Sequence, residues 1–433
     1  MEPCHYEGDA LWIEGVRLTD IAAAVETPCY VYSRAALEQH WLAFDAAFGD
    51  YPHQICYAVK ANGSLAILDL LGRLGSGFDI VSGGELERVL CVGGAPSQII
   101  FSGVGKSKAE IRRALQVGIK CLNLESDAEL YRVNDVAEQS GLKAPIAIRI
   151  NPDIDAKTHP YIATGLRDNK FGIAVEAAVE TYRAACAMDN VEVLGVACHI
   201  GSQLMELSPF LNALERTIDF VFELQNEGIE LTHLDLGGGL GIRYGNESPP
   251  LPREYIVALL EILHRRGCAL PVSIEPGRAI VGNAGVLLTR VEYLKENSWR
   301  NFAVIDAAMN DLLRPSLYDA FHVIDPVIET APGAALSRAD VVGPICETGD
   351  VLAADRDLPA LEDGDLLAVR SAGAYGAVMA SSYNTRPPAP EILVKGSLHE
   401  VIRARETYDI VLARDRMPDW LKESLLDERR DPG

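Results

Sequence analysis

The chain has 433 residues, 48% of them hydrophobic and 23% charged, with a formal net charge of -23. That length and balance allow a large buried core divided over about two or three domains, while the negative charge argues against nucleic acid or an anionic membrane as the main partner. No apolar run reaches the roughly 18 residues of a membrane span, and nine cysteines without a Cys-x-x-Cys pair fit reduced thiols in the cytoplasm rather than disulfides or a metal site.

The opening Met1-Glu2-Pro3-Cys4-His5 lacks the basic and then apolar regions of a signal peptide. The pieces Ala10-Leu11-Trp12-Ile13 and Cys29-Tyr30-Val31-Tyr32 are strand-like and are expected to join a later β domain. From about Tyr30 to Arg278, short apolar runs alternate with amphipathic stretches. The runs are Ile55–Val59, Phe78–Val81, Ile99–Phe101, Cys121–Leu124, Ile146–Ile150, Leu194–Cys198, Leu234–Leu236 and Val272–Ile274. Each is short and nearly continuously apolar, as expected of parallel strands buried on both faces. Between them, Ser107-x-x-Glu110 and Ser126-x-x-Glu129 predict capping boxes, and Ser208-Pro209 predicts an N-cap followed by proline in the first helical position. Gly75, Gly93, Gly118, Gly141, Gly228 and Gly267 fall where helices should stop. Eight strands, most followed by a helix, predict a (β/α)8 barrel over 31–279, with an open doubly wound sheet as the competing arrangement.

After about Ile280 the pattern changes. Val286–Tyr293, Phe302–Ile305, Asp340–Val342, Leu366–Val369 and Ile392–Val394 are strand-like and separated by Pro, Gly and Asp turns. They predict a mostly β domain over 280–433 that also takes in residues 1–30. The tail Asp427–Gly433 reads as disordered.

Active sites of such barrels lie at the C-terminal ends of the strands, so polar residues there are the informative ones. Lys60 follows the first strand; it is either a charge reaching to the surface or a Schiff-base lysine, whose ammonium must be partly desolvated to react near neutral pH. Asp79 interrupts the second strand and Arg149 the fifth, costly placements unless the charges are paired or serve a polar site. His199 closes the sixth strand, as a core histidine or as a ring stacked on a flat cofactor. Gly237-Gly238-Gly239-Leu240-Gly241 follows the seventh, with four glycines in five residues, a loop whose N–H groups can hold phosphate. Glu275-Pro276-Gly277-Arg278 ends the eighth, with a carboxylate able to pair with a protonated ring nitrogen and an arginine able to clamp an anion. A lysine, a phosphate loop and a carboxylate at one barrel mouth are the parts a pyridoxal-phosphate site needs.

With these residues in this order, the chain resembles the diaminopimelate decarboxylase family, in the alanine-racemase-like group of pyridoxal-phosphate enzymes. The resemblance runs through Tyr57–Asn62, Gly77–Glu85, His199–Ser202, Gly237–Gly241, Glu275–Arg278, Arg314–Tyr318, Gly343–Thr348 and Gly373–Gly376. It implies a barrel with a C-terminal β domain, a homodimer with shared sites, and pyridoxal 5'-phosphate joined to Lys60. It implies His199 stacked on the ring, Asp79 and Arg149 supporting the cofactor, and Glu275 keeping the pyridine nitrogen protonated. Ser202, Gly237, Gly238 and Gly239, the Gly277–Arg278 backbone and Tyr375 would hold the phosphate. Arg278, Arg314 and Tyr318, with Tyr375 beside them, would bind the far carboxylate of a diamino dicarboxylic acid. Glu347 would take the far ammonium, and Cys346, from the second subunit, would supply the final proton. A related ornithine, arginine or carboxynorspermidine decarboxylase, an amino-acid racemase, and a non-catalytic regulatory homologue are the alternatives; the far-carboxylate residues favour diaminopimelate as the small-molecule substrate.

Overall fold

The computed structural model describes residues 3–155, 159, 162, 164, 169–331, 333 and 335–421; the expected disordered tail 427–433 lies outside them. Eight parallel strands form the barrel: His53–Ala58, Gly77–Ile80, Ile99–Phe101, Cys121–Leu124, Ala144–Asn151, Val191–Cys198, His233–Asp235 and Val272–Ile274. Each pairs with the next, and the last returns to the first through Val272 opposite His53 and Ile274 opposite Ile55. The sheet is therefore closed, which removes the open doubly wound alternative. Each predicted run coincides closely with one strand because the runs are buried on both faces: Ile55, Phe78, Ile99, Leu122, Ile146 and Leu234 belong to one continuous core with the surrounding helices. Small residues of three neighbouring strands, Cys121, Ala147 and Ala197, form a separate buried cluster.

The helix signals hold unevenly. Ser107 makes a complete capping box, its hydroxyl accepting from Glu110 N–H and the Glu110 carboxylate accepting from Ser107 N–H at 2.9 Å. The box predicted at Ser126 is only half made: Ser126 accepts from Glu129 N–H, but Glu129 turns its carboxylate to the N–H of Glu125 at 2.8 Å and to buried Lys106 at 2.9 Å. A buried ammonium outbids an exposed N–H for that carboxylate. Ser208 is the first residue of its helix rather than the cap, which is Leu207. Gly118, Gly141 and Gly267 end their helices in the left-handed conformation.

The second sheet is organised by the long strand Gly285–Lys295, antiparallel to Cys29–Ser33, Leu366–Val369 and Phe302–Ile305. Cys29–Ser33 lies inside this sheet, with Glu391–Lys395 parallel on its other side. Leu11, Ile13, Leu18 and Val31 share an apolar cluster with Val286, Leu288, Ile392 and Val394. These contacts support, as a proposal, grouping residues 1–30 with 280–433 around a barrel of 31–279. Three strands of this sheet escaped the sequence reading: Ile324–Pro326, Val351–Pro359 and Leu398–Arg403. The last two carry charged, largely exposed stretches, so no alternating apolar pattern marks them.

Candidate active site

Lys60 lies in a single 3-10 turn, Val59–Ala61, at the end of the first barrel strand. Its Nζ donates to Asp79 Oδ2 at 2.8 Å, and Asp79, on the second strand, is wholly buried. Burial alone would depress the Lys60 ammonium, but Asp79, Glu275 and Tyr375 outweigh it and raise the pKa above the ordinary value. The expected desolvated amine is thus, in the protein alone, a paired ammonium. The second oxygen of Asp79, Oδ1, is buried and accepts nothing among the described residues.

His199 follows the sixth strand, and its Nδ1 accepts from Gly238 N–H at 3.1 Å. Burial first, then Arg149 and Lys60, push its pKa well below the usual range, so the ring is neutral with its proton on Nε2. Arg149 meets the alternative weighed for it, a structural ion pair: it binds Glu125 at 3.0 Å and the carbonyl oxygen of His199 at 3.0 Å, bracing the histidine's backbone.

The glycine loop is wedged between the sixth and eighth strand ends. A Cβ on Gly237 would stand 2.8 Å from the His199 ring, one on Gly238 2.2 Å from the Glu275 carbonyl oxygen, and one on Gly239 2.4 Å from that of Gly201. Only glycine permits this approach. Two of the loop's donors are spent internally, Gly237 N–H on Asp235 and Gly238 N–H on His199. The N–H groups of Gly239 and Leu240 meet no acceptor among the described residues. Gly277 is equally confined, its Cβ position 2.9 Å from that of Ala61.

Glu275 forms the floor with Asp235. Burial first, then Asp235 and Asp79, raise the Glu275 carboxyl well above the ordinary carboxylate range. Burial also raises Asp235, against hydrogen bonds from Glu275, Gly237 N–H and Asn123 that favour its charged form. Arg278 donates from Nη1 to the Tyr244 hydroxyl at 2.7 Å and from Nη2 to Ser202 Oγ at 2.9 Å, and lies 4.7 Å from the Tyr375 ring centre. Arg314 reaches in from the β domain, 4.4 Å from the Tyr244 ring.

Lys60, His199, Ser202, Gly239, Glu275, Gly277, Arg278, Arg314, Tyr318 and Tyr375 line one cavity. Asp79, Arg149, Gly237 and Gly238 touch residues of that lining. Cys346 and Glu347 are not among the residues lining it; they are exposed on a turn after the strand Leu336–Val342, where Cys346 N–H donates to Asn384.

Residues 34–282 match the family model described as the pyridoxal binding domain of the pyridoxal-dependent decarboxylases. A diaminopimelate decarboxylase of Vibrio cholerae is 56% identical over 99% of this chain and 100% of that protein. One of Pseudomonas aeruginosa is 55% identical over 96% of this chain and 99% of its own. The chain belongs to the diaminopimelate decarboxylase family. Among solved structures, the Helicobacter pylori diaminopimelate decarboxylase complexed with L-lysine matches with a TM-score of 0.88 and 43% identity, covering 92% of this chain and 98% of that one.

For a diaminopimelate decarboxylase the cavity fits pyridoxal phosphate by its own chemistry. It offers a lysine amine, a floor of carboxyls, a neutral imidazole, and free backbone N–H groups in a cradle too tight for any side chain. Residues of the site that the sequence reading missed are Asp235, Glu125, Tyr244 and His322. Asp235 carried the same signal as Asp79, a carboxylate within an apolar strand, and could have been found. Glu125 stands at a strand end, whereas Tyr244 and His322 lie in connecting segments with no local signal.

Proposed function

We propose that this chain decarboxylates meso-2,6-diaminopimelate to L-lysine and carbon dioxide, the closing step of lysine formation. The observation that carries this reading is the arginine pair: Arg278 and Arg314 line the same cavity as Lys60, bridged by Tyr244. Two guanidiniums facing a pocket suit a substrate that keeps a second carboxylate, which diamine-forming decarboxylation of ornithine does not offer.

When bound, pyridoxal phosphate supplies a carbonyl that condenses with amines and a ring that accepts the electron pair left by departing carbon dioxide. Lys60 would carry it, and Asp79, 2.8 Å from Lys60 Nζ, would hold the amine as ammonium whenever it is free. Glu275, backed by Asp235, would hold a proton at the ring nitrogen. His199, neutral and anchored by Gly238, would lie against the ring. Gly239, Ser202, the backbone of Gly277–Arg278 and Tyr375 hold the phosphate. Arg278, Arg314 and Tyr318 take the far carboxylate. A second copy of the chain contributes Glu347 for the far ammonium and Cys346 Sγ, which delivers a proton to the carbon that lost its carboxylate. The exposed positions of Cys346 and Glu347 support that homodimer, and nine cysteines without a Cys-x-x-Cys pair support a cytoplasmic setting. No helix among the described residues is long and apolar enough to cross a membrane.

Assay of the purified, pyridoxal-phosphate-loaded protein tests the substrate: carbon dioxide is expected from meso-diaminopimelate and not from ornithine, and the reverse result overturns the reading. Mixing inactive Lys60→Ala with inactive Cys346→Ala tests site sharing. Partial recovery is expected, and none after verified subunit exchange refutes it.

A further inference from the structure

Arg314 opens the short helix Arg314–Tyr318 and is buried. Its Nη1 meets Nε2 of His322 at 2.8 Å. Its Nε, shut off from solvent, has no acceptor among the described residues. His322 is fully buried, and its Nδ1 lies 2.8 Å from the carbonyl oxygen of Arg370. A carbonyl only accepts, so Nδ1 carries the proton. Burial first, then Arg314, push the imidazole pKa down to about 3, so the ring is neutral and Nε2 is a bare lone pair. The ring can therefore only accept from Arg314. Its face is fixed in turn by Tyr244, packed against it at 5.2 Å and 80°.

We propose that His322 is a positioning residue for recognition of the far carboxylate. By accepting from Nη1 it holds the guanidinium in one orientation, with Nη2 left to donate to a carboxylate. The choice of a neutral partner matters. A carboxylate at position 322 would orient Arg314 equally well but would neutralise its charge and compete with the substrate. A neutral imidazole fixes the geometry and leaves the positive charge for the ligand. The Arg370 carbonyl sets the tautomer, so the chain of control runs from the β-domain backbone through His322 to Arg314. This inference rests on the reading of Arg278 and Arg314 as the far-carboxylate clamp.

The product L-lysine retains only the far carboxylate, and cadaverine has none, so the pair isolates that group. Titration calorimetry of the pyridoxal-phosphate-loaded protein with each ligand reads the effect directly. His322→Asn keeps a donor for the Arg370 carbonyl and removes the acceptor for Arg314. It should weaken L-lysine about 10-fold or more while leaving cadaverine within about twofold. His322→Gln, whose longer side chain can again present an oxygen to Arg314, should return L-lysine to within about threefold of the parent. In turnover, H322N should raise KM for meso-diaminopimelate more than it lowers kcat, with the cofactor absorbance band unchanged. Should H322N not fold, His322→Phe, which removes the acceptor for Arg314 together with the donor for Arg370, is read by the same ratio of L-lysine to cadaverine affinity. Parent-like L-lysine affinity in H322N, or equal losses for both ligands, overturns the proposal. Arg314→Gln separates the two levels. Loss of L-lysine affinity in R314Q with none in H322N refutes the positioning role alone, whereas parent-like affinity in R314Q refutes the clamp itself.

Discussion

Gly238→Ala is the most demanding single test of how the barrel mouth is built. The added Cβ would stand 2.2 Å from the carbonyl oxygen of Glu275 and 3.0 Å from its carbonyl carbon, both backbone atoms at a strand end. Ordinary contact begins near 3.4 Å, so loop and strand end must separate by about 1.2 Å. Neither can move alone. Gly238 N–H is bonded to His199 Nδ1 at 3.1 Å, and Glu275 N–H to the Gly237 carbonyl at 2.7 Å. The shift therefore displaces both groups assigned to the cofactor ring. A misplacement of that size costs on the order of 100-fold in kcat/KM, and the overpacking about 1–3 kcal/mol of stability. Carbon dioxide release and titration of the apoprotein with pyridoxal phosphate should both show the defect, with melting a few degrees lower. Gly105→Ala is the matched control, since a Cβ there meets nothing within 4 Å. A G238A enzyme within about threefold of the parent in kcat/KM would refute the claim that this close packing sets the site geometry.

Glu275→Gln should retain the fold yet lose activity on the order of 100-fold, because an amide cannot hold a proton at a ring nitrogen; parent-like kcat at saturating cofactor would contradict the assignment. His233 is buried, and burial first, then Lys120, lower its pKa to about 4. The unfolded chain, with histidine near its ordinary value of about 6.5, binds this proton more readily. Stability is then full above about pH 6.5 and falls as pH drops toward 4, by about 3 kcal/mol from this group. Denaturant midpoints across that range should show a shallower acid slope in His233→Gln, and an unchanged slope would count against it. Lys106→Met strands the buried carboxylate of Glu129 and should cost about 3–5 kcal/mol. Arg73→Ala, which breaks the exposed pair with Asp69, should leave the denaturant midpoint close to the parent's; equal losses in the two variants would refute the distinction.

What the amino-acid sequence determined by itself was local. Eight apolar runs buried on both faces specify eight strands, because a two-sided strand needs no partner pattern to be recognised. Polar residues directly after those runs, Lys60, His199, the Gly237–Gly241 loop and Glu275, specify the site, because barrel topology gathers the strand ends at one mouth. Tertiary structure decided what depends on neighbours far apart in the chain. Closure of the barrel rests on Val272–Ile274 returning to His53–Ile55. The paired state of Lys60 depends on Asp79, and the raised carboxyl of Glu275 depends on burial and on Asp235, since burial and a facing charge act only once the groups are brought together. The two arginines proposed for the far carboxylate come from the barrel and the β domain and both meet Tyr244, while His322, in a connecting segment without periodicity and held in one tautomer by the Arg370 carbonyl, accepts from Arg314. Lys60 could be read from its strand end; the electrostatics that make it useful could not, because they belong to residues tens or hundreds of positions away.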